Sequence, residues 1–289
     1  MASIRPRDLI DQHLPLFSLP ALVMRLNEMV EDPACSAADI GNTIACDPAL
    51  TARLLRIVNS PFYGFPQQVD TIPMAVTILG TRQLRDLVLA TAVVHTLRGA
   101  GAPVEAERFW RHSVACGLAA RETARALRLV NVERLFIAGL LHDIGKLVML
   151  TALPDDYRRL LDRLRDEAPG AELEQEVFGF DHTQVGRELM RRWRLPESLV
   201  EPVAWHHAPH RAERHRTDAF IVHLANHLAN EIAPPVSGEA GGPLHEDTTG
   251  VLGLAAARLE RIRQTSAHRL DATLAAVYEP PPRTLASSA

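Results

Sequence analysis

The stretch VERLFIAGLLHDIGKLVML, residues 132–150, is apolar around almost its whole circumference when drawn as a helix. A helix without a polar face is a buried one, so the stretch predicts a central helix around which other elements pack. Beyond its first turn, the only ionisable side chains are those of His142, Asp143 and Lys146. Their burial is costly unless each is paired or bound to a metal ion. This polar notch is therefore the first candidate for a functional site.

The spacing within the notch is compatible with metal and phosphate chemistry. Side chains of adjacent helical residues diverge by about 100°, so His142 and Asp143 can reach one cation. Gly145 lacks a side chain and lets another backbone or a ligand approach closely. Lys146 lies one turn after His142, where its ammonium can face a metal-held phosphate. The alternative is an internal polar network, with Asp143 paired to Lys146 and His142 bonded to a backbone carbonyl.

The chain has 13 histidines, and several of them fall near the ends of predicted helices in the same region. Four separate helices each offer one or two nitrogen or oxygen ligands, and mixed His/Asp ligation suits Fe, Mn, Zn or Ni better than Ca or Mg. Taken singly, such a histidine more often caps a helix or satisfies a carbonyl, so the hypothesis depends on the group. The predicted metal ligands are His112, His142, Asp143, His182, His206 and His207. No pattern indicates an organic cofactor.

Nearly every other apolar segment also repeats with a helical period, and no alternating Val/Ile/Thr-rich run predicts a strand. We expect an all-α protein: an N-terminal helical subdomain packed on a second helical subdomain, followed by a C-terminal helix. The boundaries expected are 1–100, 101–235 and 236–289, the last comprising a loop, a helix and a disordered tail. Helices after the first subdomain are expected at about 106–129, 132–150, 155–166, 182–193, 197–207, 218–231 and 252–278, with a break in the last near Ser266.

Capping signals mark the helices of the first hundred residues. Ser36 with Asp39 resembles a capping pair, and Asp47 followed by Pro48 is a typical helix start. Thr71 precedes another start, and Gly80 stands where a left-handed C-cap ends that helix.

Composition narrows the class of protein. The formal net charge of −4 provides no general attraction to nucleic acid or to anionic lipid, so a nucleic-acid regulator is the weakest hypothesis. The three cysteines form neither a zinc knuckle nor a disulfide framework, which suits a reducing cytoplasm. The N-terminus lacks the apolar core of a secretory signal, and the apolar run 87–97 is too short to span a bilayer. We expect a cytoplasmic protein without a membrane partner.

The order and approximate spacing of these histidine and aspartate motifs resemble the HD superfamily of metal-dependent phosphohydrolases, particularly its HD-GYP branch. The resemblance covers about 105–235. The N-terminal half is similar to the HDOD pattern, so that HDOD accounts for about 14–235. The segments that carry this second resemblance are Leu14-Pro15, Leu19-Pro20, Asp32-Pro33, Asp47-Pro48-Ala49-Leu50-Thr51, Asn59-Ser60-Pro61-Phe62-Tyr63-Gly64, Ile72-Pro73-Met74-Ala75-Val76 and Leu79-Gly80.

The two branches imply different functions. HD-GYP proteins hydrolyse cyclic dinucleotides with a two- or three-metal site. HDOD proteins resemble them in fold, generally lack part of the ligand set and are treated as signalling modules. They often accompany two-component response regulators or cyclic-dinucleotide enzymes, which become the expected partners, together with a small nucleotide ligand.

Two departures from the catalytic pattern favour the regulatory branch. Asn226 replaces the carboxylate expected in the late helix, and no Gly-Tyr-Pro element follows His206-His207. The retained His142-Asp143 and Lys146 favour the enzyme. The first hypothesis is therefore an HDOD signal-transduction protein without turnover, acting through partner or ligand binding with a vestigial metal site. The alternative is an HD-type phosphohydrolase acting on a nucleotide or cyclic dinucleotide, with Asp143 and Lys146 in catalytic roles.

Other motifs have simpler interpretations. The segment 59–64 is either a binding loop or a helix stop with aromatic anchors, and the anchor is favoured. The arginine runs at 191–194 and 211–216 can contact a phosphate or an acidic partner, although such runs are usually solvated. His95, His210, His215, His223 and His227 match no motif position, and solvated or capping roles are expected for them.

Overall fold

A computed structural model describes residues 4–32, 34–98, 103–164, 170–235 and 244–279. Within these ranges the regular elements are helices and no strand occurs, which confirms the all-α prediction. The α-helices in chain order are α1 Pro6–His13, α2 Ala21–Glu31, α3 Ala37–Ala45, α4 Pro48–Val58, α5 Ile72–Leu79, α6 Thr81–Leu97, α7 Pro103–Ala126, α8 Val132–Leu141, α9 Ile144–Ala152, α10 Pro154–Leu164, α11 Gly170–Phe178, α12 His182–Arg192, α13 Glu197–Ala204, α14 Arg216–Ile232, α15 Thr248–Leu252 and α16 Ala256–Val277.

The predicted caps of the N-terminal helices are present. The Ser36 hydroxyl accepts from the Asp39 backbone N–H, and the Asp39 carboxylate accepts from the Ser36 N–H, forming a complete capping box for α3. Asp47 caps α4 by accepting the Leu50 backbone N–H, and Thr71 caps α5 by accepting that of Met74. Gly80 follows α5 with φ +82° and ψ 161°, which is not the left-handed helical conformation expected of its C-cap, although the positive φ favours glycine because it has no Cβ.

The central stretch differs from the prediction of one helix over 132–150. It forms two helices, α8 and α9, separated by a tight turn at His142-Asp143. The Asp143 backbone lies at φ −100°, ψ 12°, and its carbonyl accepts the Lys146 N–H at 2.9 Å to begin α9. Apolar periodicity continues across the turn, so the pattern alone conceals it. The turn places the polar residues at a helix junction.

The segment Val132–Ala152 is long and apolar enough to cross a membrane by length and composition alone, unlike the shorter run 87–97. However, 78% of its most apolar window is buried inside the protein. These two helices are therefore core helices of a folded domain.

Two glycine crossings bring the central helices into backbone contact with their neighbours. A Cβ on Gly139 of α8 would lie 2.8 Å from the Cys116 carbonyl oxygen of α7. A Cβ on Gly145 of α9 would lie 2.0 Å from the His182 carbonyl oxygen at the start of α12. The second contact confirms that Gly145 serves close backbone approach. Both crossings lie beside the candidate ligands, and they set the distances between the helices that carry them.

The N-terminal helices pack directly on the second half of the chain. The buried Arg121 of α7 donates to the Phe62 carbonyl oxygen at 2.7 Å, and its guanidinium lies 3.9 Å from the centre of the Phe62 ring. Phe62 also packs against Phe136 of α8, with ring centres 4.6 Å apart. Phe62 is 1% exposed, which supports the anchor interpretation of segment 59–64. At the other end of the interface, the Trp193 indole N–H donates to the Phe17 carbonyl at 2.8 Å.

Several smaller predictions have mixed outcomes. Helix α16 runs without the break expected near Ser266, and α13 ends at Ala204, before the histidine pair. Helix α11 was not predicted. Several predictions fall on residues outside the described ranges. They are the domain boundary expected at residue 100, the C-terminal end of the helix expected to reach 166, residues 236–243 of the expected loop, Pro33 and the tail from 280. The three domain boundaries stay predictions.

Candidate metal centre

The six predicted ligands meet around the turn between α8 and α9. Helix α7 carries His112, the turn itself carries His142 and Asp143, the N-terminus of α12 carries His182, and the segment after α13 carries His206 and His207. The side chains form two groups with mutually close ligand atoms, and Asp143 belongs to both of them. One group is Asp143, His182, His206 and His207, and the other is His112, His142 and Asp143.

The Asp143 carboxylate lies at the centre of the cluster. Its Oδ1 is 3.2 Å from His182 Nε2 and 3.7 Å from His206 Nε2. Its Oδ2 is 3.3 Å from His142 Nε2. All four side chains are buried, whereas that of His207 is exposed. The two carboxylate oxygens of Asp143 thus face different imidazoles, and through them Asp143 belongs to both ligand groups.

Backbone carbonyls select the tautomer of three imidazoles. His142 Nδ1 lies 2.7 Å from the Gly139 carbonyl oxygen, and His206 Nδ1 lies 2.8 Å from that of Val203. His112 Nδ1 is 2.8 Å from the Ala233 carbonyl oxygen. Because a carbonyl can only accept, each Nδ1 carries the proton, and a neutral ring then presents the Nε2 lone pair to the cluster.

Several buried polar atoms of the cluster have no hydrogen-bond partner among the described residues. They are His142 Nε2, His206 Nε2 and Asp143 Oδ1. In addition, His182 Nε2 and His207 Nε2 face each other at 3.1 Å, where two lone pairs repel unless a proton or a cation lies between them. Such buried groups are costly if unsatisfied. A cation accepting these lone pairs would satisfy them together, so the residues fit a metal ion, and the N/O donor set is of the kind that first-row transition metals accept.

Glu174 of α11 supports the cluster and was not found from the sequence. Its buried carboxylate accepts from the His182 backbone N–H at 2.7 Å and from His182 Nδ1 at 2.6 Å, while the Tyr157 hydroxyl donates to it at 3.0 Å. A carboxylate behind an imidazole directs the opposite nitrogen towards a metal and raises its basicity. The only sequence signal was a glutamate eight positions before His182, within a segment without a clear helical pattern.

Burial and neighbouring charges give the histidines of the cluster different pKa values. Burial lowers the pKa of His112 to about 4, assisted by the proximity of His142. Burial also opposes protonation of His182, but the Glu174 carboxylate overrides it and raises the pKa to about 9. For His142, the Asp143 carboxylate overrides burial in the same way, and its pKa lies above the ordinary value. Without a metal, His182 is therefore protonated at neutral pH.

Asn226 of α14 lies at the cluster, as the resemblance implied. Its side-chain oxygen is 3.1 Å from His112 Nε2, the nitrogen whose lone pair faces the cluster. Since that nitrogen accepts, a hydrogen bond requires the amide to rotate by 180°, which exchanges its oxygen and its NH₂ group and lets the NH₂ group donate in the metal-free state. A neutral amide therefore stands where a carboxylate would add a negative charge.

The polar network offered as an alternative is also formed. The Lys146 ammonium lies 3.0 Å from Asp143 Oδ2, and His142 bonds the Gly139 carbonyl. This network leaves Asp143 Oδ1 and the two Nε2 atoms described above unsatisfied. The pairing with Lys146 is therefore one part of the cluster and does not explain the whole.

A narrow cleft leads from the surface to the cluster. His112, Asp143 and Lys146 lie among its lining residues, and the remaining walls are largely apolar, with Phe109, Leu147 and other side chains. The space in which the centre of a water molecule can lie is about 40 Å³. This is room for a few water molecules.

Of the histidines without a motif, His223 differs from the solvated role expected. It is buried, and its Nδ1 bonds the His206 carbonyl oxygen at 2.7 Å, while its Nε2 accepts the His245 backbone N–H at 3.0 Å. The polypeptide after α14 is thus connected to the backbone of a candidate ligand. His210 and His245 stack at 5.0 Å nearby.

Comparisons with known proteins agree with the fold. An "Uncharacterized protein" of Treponema pallidum (strain Nichols) is 28% identical over 211 residues, which cover 72% of this chain. This chain spans only 41% of the length of that relative.

Solved structures superpose over most of the chain. An HDOD domain protein of unknown function from Geobacter sulfurreducens matches with TM-score 0.76 and 20% identity, covering 92% of this chain and 99% of that one. A protein from Shewanella amazonensis SB2B, named as a candidate phosphohydrolase, matches with TM-score 0.72 and 24% identity over 92% and 96% of the two chains. A candidate signal transduction protein from Marinobacter aquaeolei VT8 matches with TM-score 0.67 and 19% identity over 95% and 66%. At these identities the likeness is one of fold.

The HDOD domain model matches residues 16–209, which is most of the chain and contains every predicted ligand. With the helical architecture and the histidine–aspartate cluster at its centre, this match shows that the chain belongs to the HDOD family.

Proposed function

We propose that this HDOD protein is a metal-binding signal-transduction module that acts through ligand or partner binding and does not turn over a substrate. The observation that carries the proposal is Asn226, whose amide lies 3.1 Å from His112 Nε2 at the position of an expected carboxylate. An amide oxygen carries no formal charge and binds a divalent cation more weakly than a carboxylate does. The group formed by His112, His142 and Asp143 is therefore the weaker of the two candidate metal sites.

The cleft supports the same proposal. Its volume of about 40 Å³ is far below the roughly 300–1,000 Å³ of ordinary small-molecule sites. Lys146, the only lysine or arginine among its lining residues, already pairs with Asp143 at 3.0 Å. A nucleotide has no room in this conformation of the cleft.

The expected setting is a cytoplasmic two-component or cyclic-dinucleotide pathway. Family membership and the low bulk charge support this setting. One structural neighbour is itself named as a candidate signal transduction protein. Partner proteins would dock on the helical surface, and the metal would stabilise the junction between α7, α9, α12 and α13.

The test combines metal analysis with a turnover assay. Protein purified without added metal is analysed by elemental mass spectrometry and then assayed on a cyclic dinucleotide and on bis(p-nitrophenyl) phosphate, with Mn²⁺, Fe²⁺, Zn²⁺ or Ni²⁺ supplied. We expect bound transition metal, its loss in Asp143→Ala, and no hydrolysis above the rate of the Asp143→Ala control. Metal-dependent hydrolysis that disappears in Asp143→Ala would refute the proposal.

A second candidate is the HD-type phosphohydrolase, which is favoured by the position of Asp143 in both ligand groups. A divalent metal supplies Lewis acidity and lowers the pKa of a bound water. The residues of this chain would then orient the substrate: the Lys146 ammonium lines the cleft and can contact a phosphoryl oxygen, and Phe109 and Leu147 exclude water. Lys146→Met should raise KM for a phosphodiester if this is the function, while leaving metal content unchanged.

A further inference from the structure

A second cavity lies on the outer face of α12 and α13 and shares no lining residue with the cleft above the metal centre. It has about 410 Å³ in which the centre of a water molecule can lie, and a second lobe of about 250 Å³ adjoins it through the shared residues Arg187, Ala204, Trp205 and Arg211. This volume falls within the roughly 300–1,000 Å³ of small-molecule sites. The groove is therefore large enough for a ligand of nucleotide size.

Most carboxylates that line the groove already form hydrogen bonds or ion pairs within the protein. Glu201 accepts three backbone N–H groups from 213–215 at distances between 2.6 and 3.2 Å. Glu197 lies 3.3 Å from the Arg191 guanidinium, and Asp181 caps α12 by accepting the Thr183 and Gln184 N–H groups. Of the four lining carboxylates, Glu213 alone lacks such a partner among the described residues.

Three arginines of the groove are left with little negative charge. Among the described residues, Arg211 and Arg214 form no ion pair with a carboxylate. The closest carboxylate oxygen to Arg187 Nε is that of Glu188 at 3.9 Å. That Nε atom is buried and has no hydrogen-bond partner. The Arg187, Arg211 and Arg214 side chains all line the groove, and guanidinium groups without a close carboxylate can bind an anionic group there.

An aromatic side chain stands beside these arginines. The Arg211 guanidinium lies 4.4 Å from the centre of the Trp205 ring, a cation–π stack that holds both planes in place. Trp205 is half-buried, whereas Trp110 and Trp193 are buried in the core. An arginine–aromatic pair next to arginines without a close carboxylate suits the two halves of a nucleotide, because a base stacks on such side chains and a phosphate binds guanidinium.

We propose that this groove is a nucleotide-binding site, with a phosphate group on Arg187 and Arg214 and the base against the Arg211–Trp205 stack. Trp205 directly precedes His206 and His207, and Asp181 directly precedes His182. A ligand held here therefore contacts segments that place three candidate metal ligands. A ligand that moves Trp205 or Asp181 would also move the adjacent candidate metal ligands, as expected of a regulatory site. The proposal does not depend on the metal or on catalysis.

Isothermal titration calorimetry of the full chain, kept in EDTA to remove the metal, tests the groove with AMP, GMP, ATP and inorganic phosphate as probes. We expect saturable binding of at least one nucleotide, weaker binding of inorganic phosphate because it cannot stack, and weakening with added salt. The double variant Arg187→Ala/Arg211→Ala should lose at least about tenfold in affinity, or about 1.4 kcal/mol. Trp205→Leu should weaken nucleotide binding while leaving phosphate binding unchanged.

The matched control is Arg82→Ala/Arg158→Ala, which removes the same charge from exposed positions outside the groove. It should bind as the parent protein does. Circular dichroism of each variant establishes that it is folded. The proposal is wrong if no nucleotide binds up to millimolar concentration, if the groove variant and the control bind alike, or if an acidic peptide binds the groove and nucleotides do not.

Discussion

At the scale of single residues, the orientation of His182 depends on Glu174. The carboxylate lies 2.6 Å from Nδ1 and leaves Nε2 directed at Asp143. Loss of such a supporting carboxylate typically reduces metal affinity about 10–100-fold. Glu174→Gln should show a reduction of that order in a chelator-competition assay. Glu172→Gln, on the exposed side of the same helix, is the control. Equal affinities in the two variants would contradict the role assigned to Glu174.

Asn226 determines the charge of the weaker ligand group. Asn226→Asp places a carboxylate 3.1 Å or so from His112 Nε2 and should raise the affinity for a second metal ion by on the order of tenfold, or about 1.4 kcal/mol. Metal stoichiometry measured by elemental mass spectrometry checks this. Asn42→Asp, at an exposed position of α3 in the N-terminal half, adds the same charge on a helix that carries no candidate ligand and should have no effect. If both variants bound the same number of metal ions as the parent protein, the role assigned to Asn226 in the cluster would be wrong.

The histidine basicities predict that metal binding releases protons. In the metal-free protein the pKa of His182 is about 9, so this ring is protonated at pH 7.5 and must lose a proton to bind a cation through Nε2. Release should therefore be substantial at pH 7.5 and should decline as the pH rises through about 9, where the ring is already neutral. His112, with a pKa of about 4, contributes no proton at pH 7.5.

Calorimetry in two buffers of different ionisation enthalpy measures the protons released per metal bound. His112→Ala should weaken binding without changing that number, whereas Glu174→Gln should reduce it. Proton release independent of pH between 7 and 10 would disagree with the raised pKa of His182.

At the scale of elements, the Gly145 crossing sets the distance between α9 and α12. A Cβ at this position would lie 2.0 Å from a backbone oxygen, so the two helices must move apart to accept any side chain. Overpacking typically costs about 1–3 kcal/mol, and a clash with backbone places Gly145→Ala at the upper end or beyond. Urea unfolding should show this loss, together with weaker metal binding.

Gly250→Ala is the matched control, because no atom lies within 4 Å of a Cβ built there in α15. It should be neutral or stabilise the protein by about 0.4–1 kcal/mol. If Gly145→Ala were as stable as Gly250→Ala, the close approach of the two helices would not be a requirement of the fold.

At the scale of the whole molecule, one buried arginine connects the N-terminal helices to the metal-binding half. Arg121 is 1% exposed, bonds the Phe62 carbonyl and lies 3.3 Å from Glu133. Removing one member of a buried ion pair typically costs about 3–5 kcal/mol. Arg121→Met should lower the stability of the entire chain by about that amount, in a single cooperative transition seen by both circular dichroism and tryptophan fluorescence.

Arg125→Met, one turn away, breaks an ion pair with Glu122 at the surface, and such pairs are worth about 0–1 kcal/mol. Two separate transitions in Arg121→Met, with the metal-binding half unfolding at its original midpoint, would show that the halves are independent.

Sequence patterns predicted the all-α class, the caps of α3 and α4 and the six residues that form the cluster around Asp143. These features depend on local periodicity and on residue type. The patterns failed where the outcome depends on contacts between distant segments. The turn at His142-Asp143 is hidden by an apolar pattern that continues through it, and Glu174 has no local signal because its partner, His182, lies on another helix.

Residue patterns along the chain indicated most of the helices and the side chains that have ligand chemistry. The packing of distant segments brings these side chains to one buried carboxylate from two helices, the α8–α9 turn and the segment after α13, and it places Trp205 in a separate groove with Arg187, Arg211 and Arg214. The physical reason is that helix formation depends on residues within one or two turns, whereas the meeting of His112, Asp143 and His206 depends on backbone approach at Gly139 and Gly145, which is a property of packed helices.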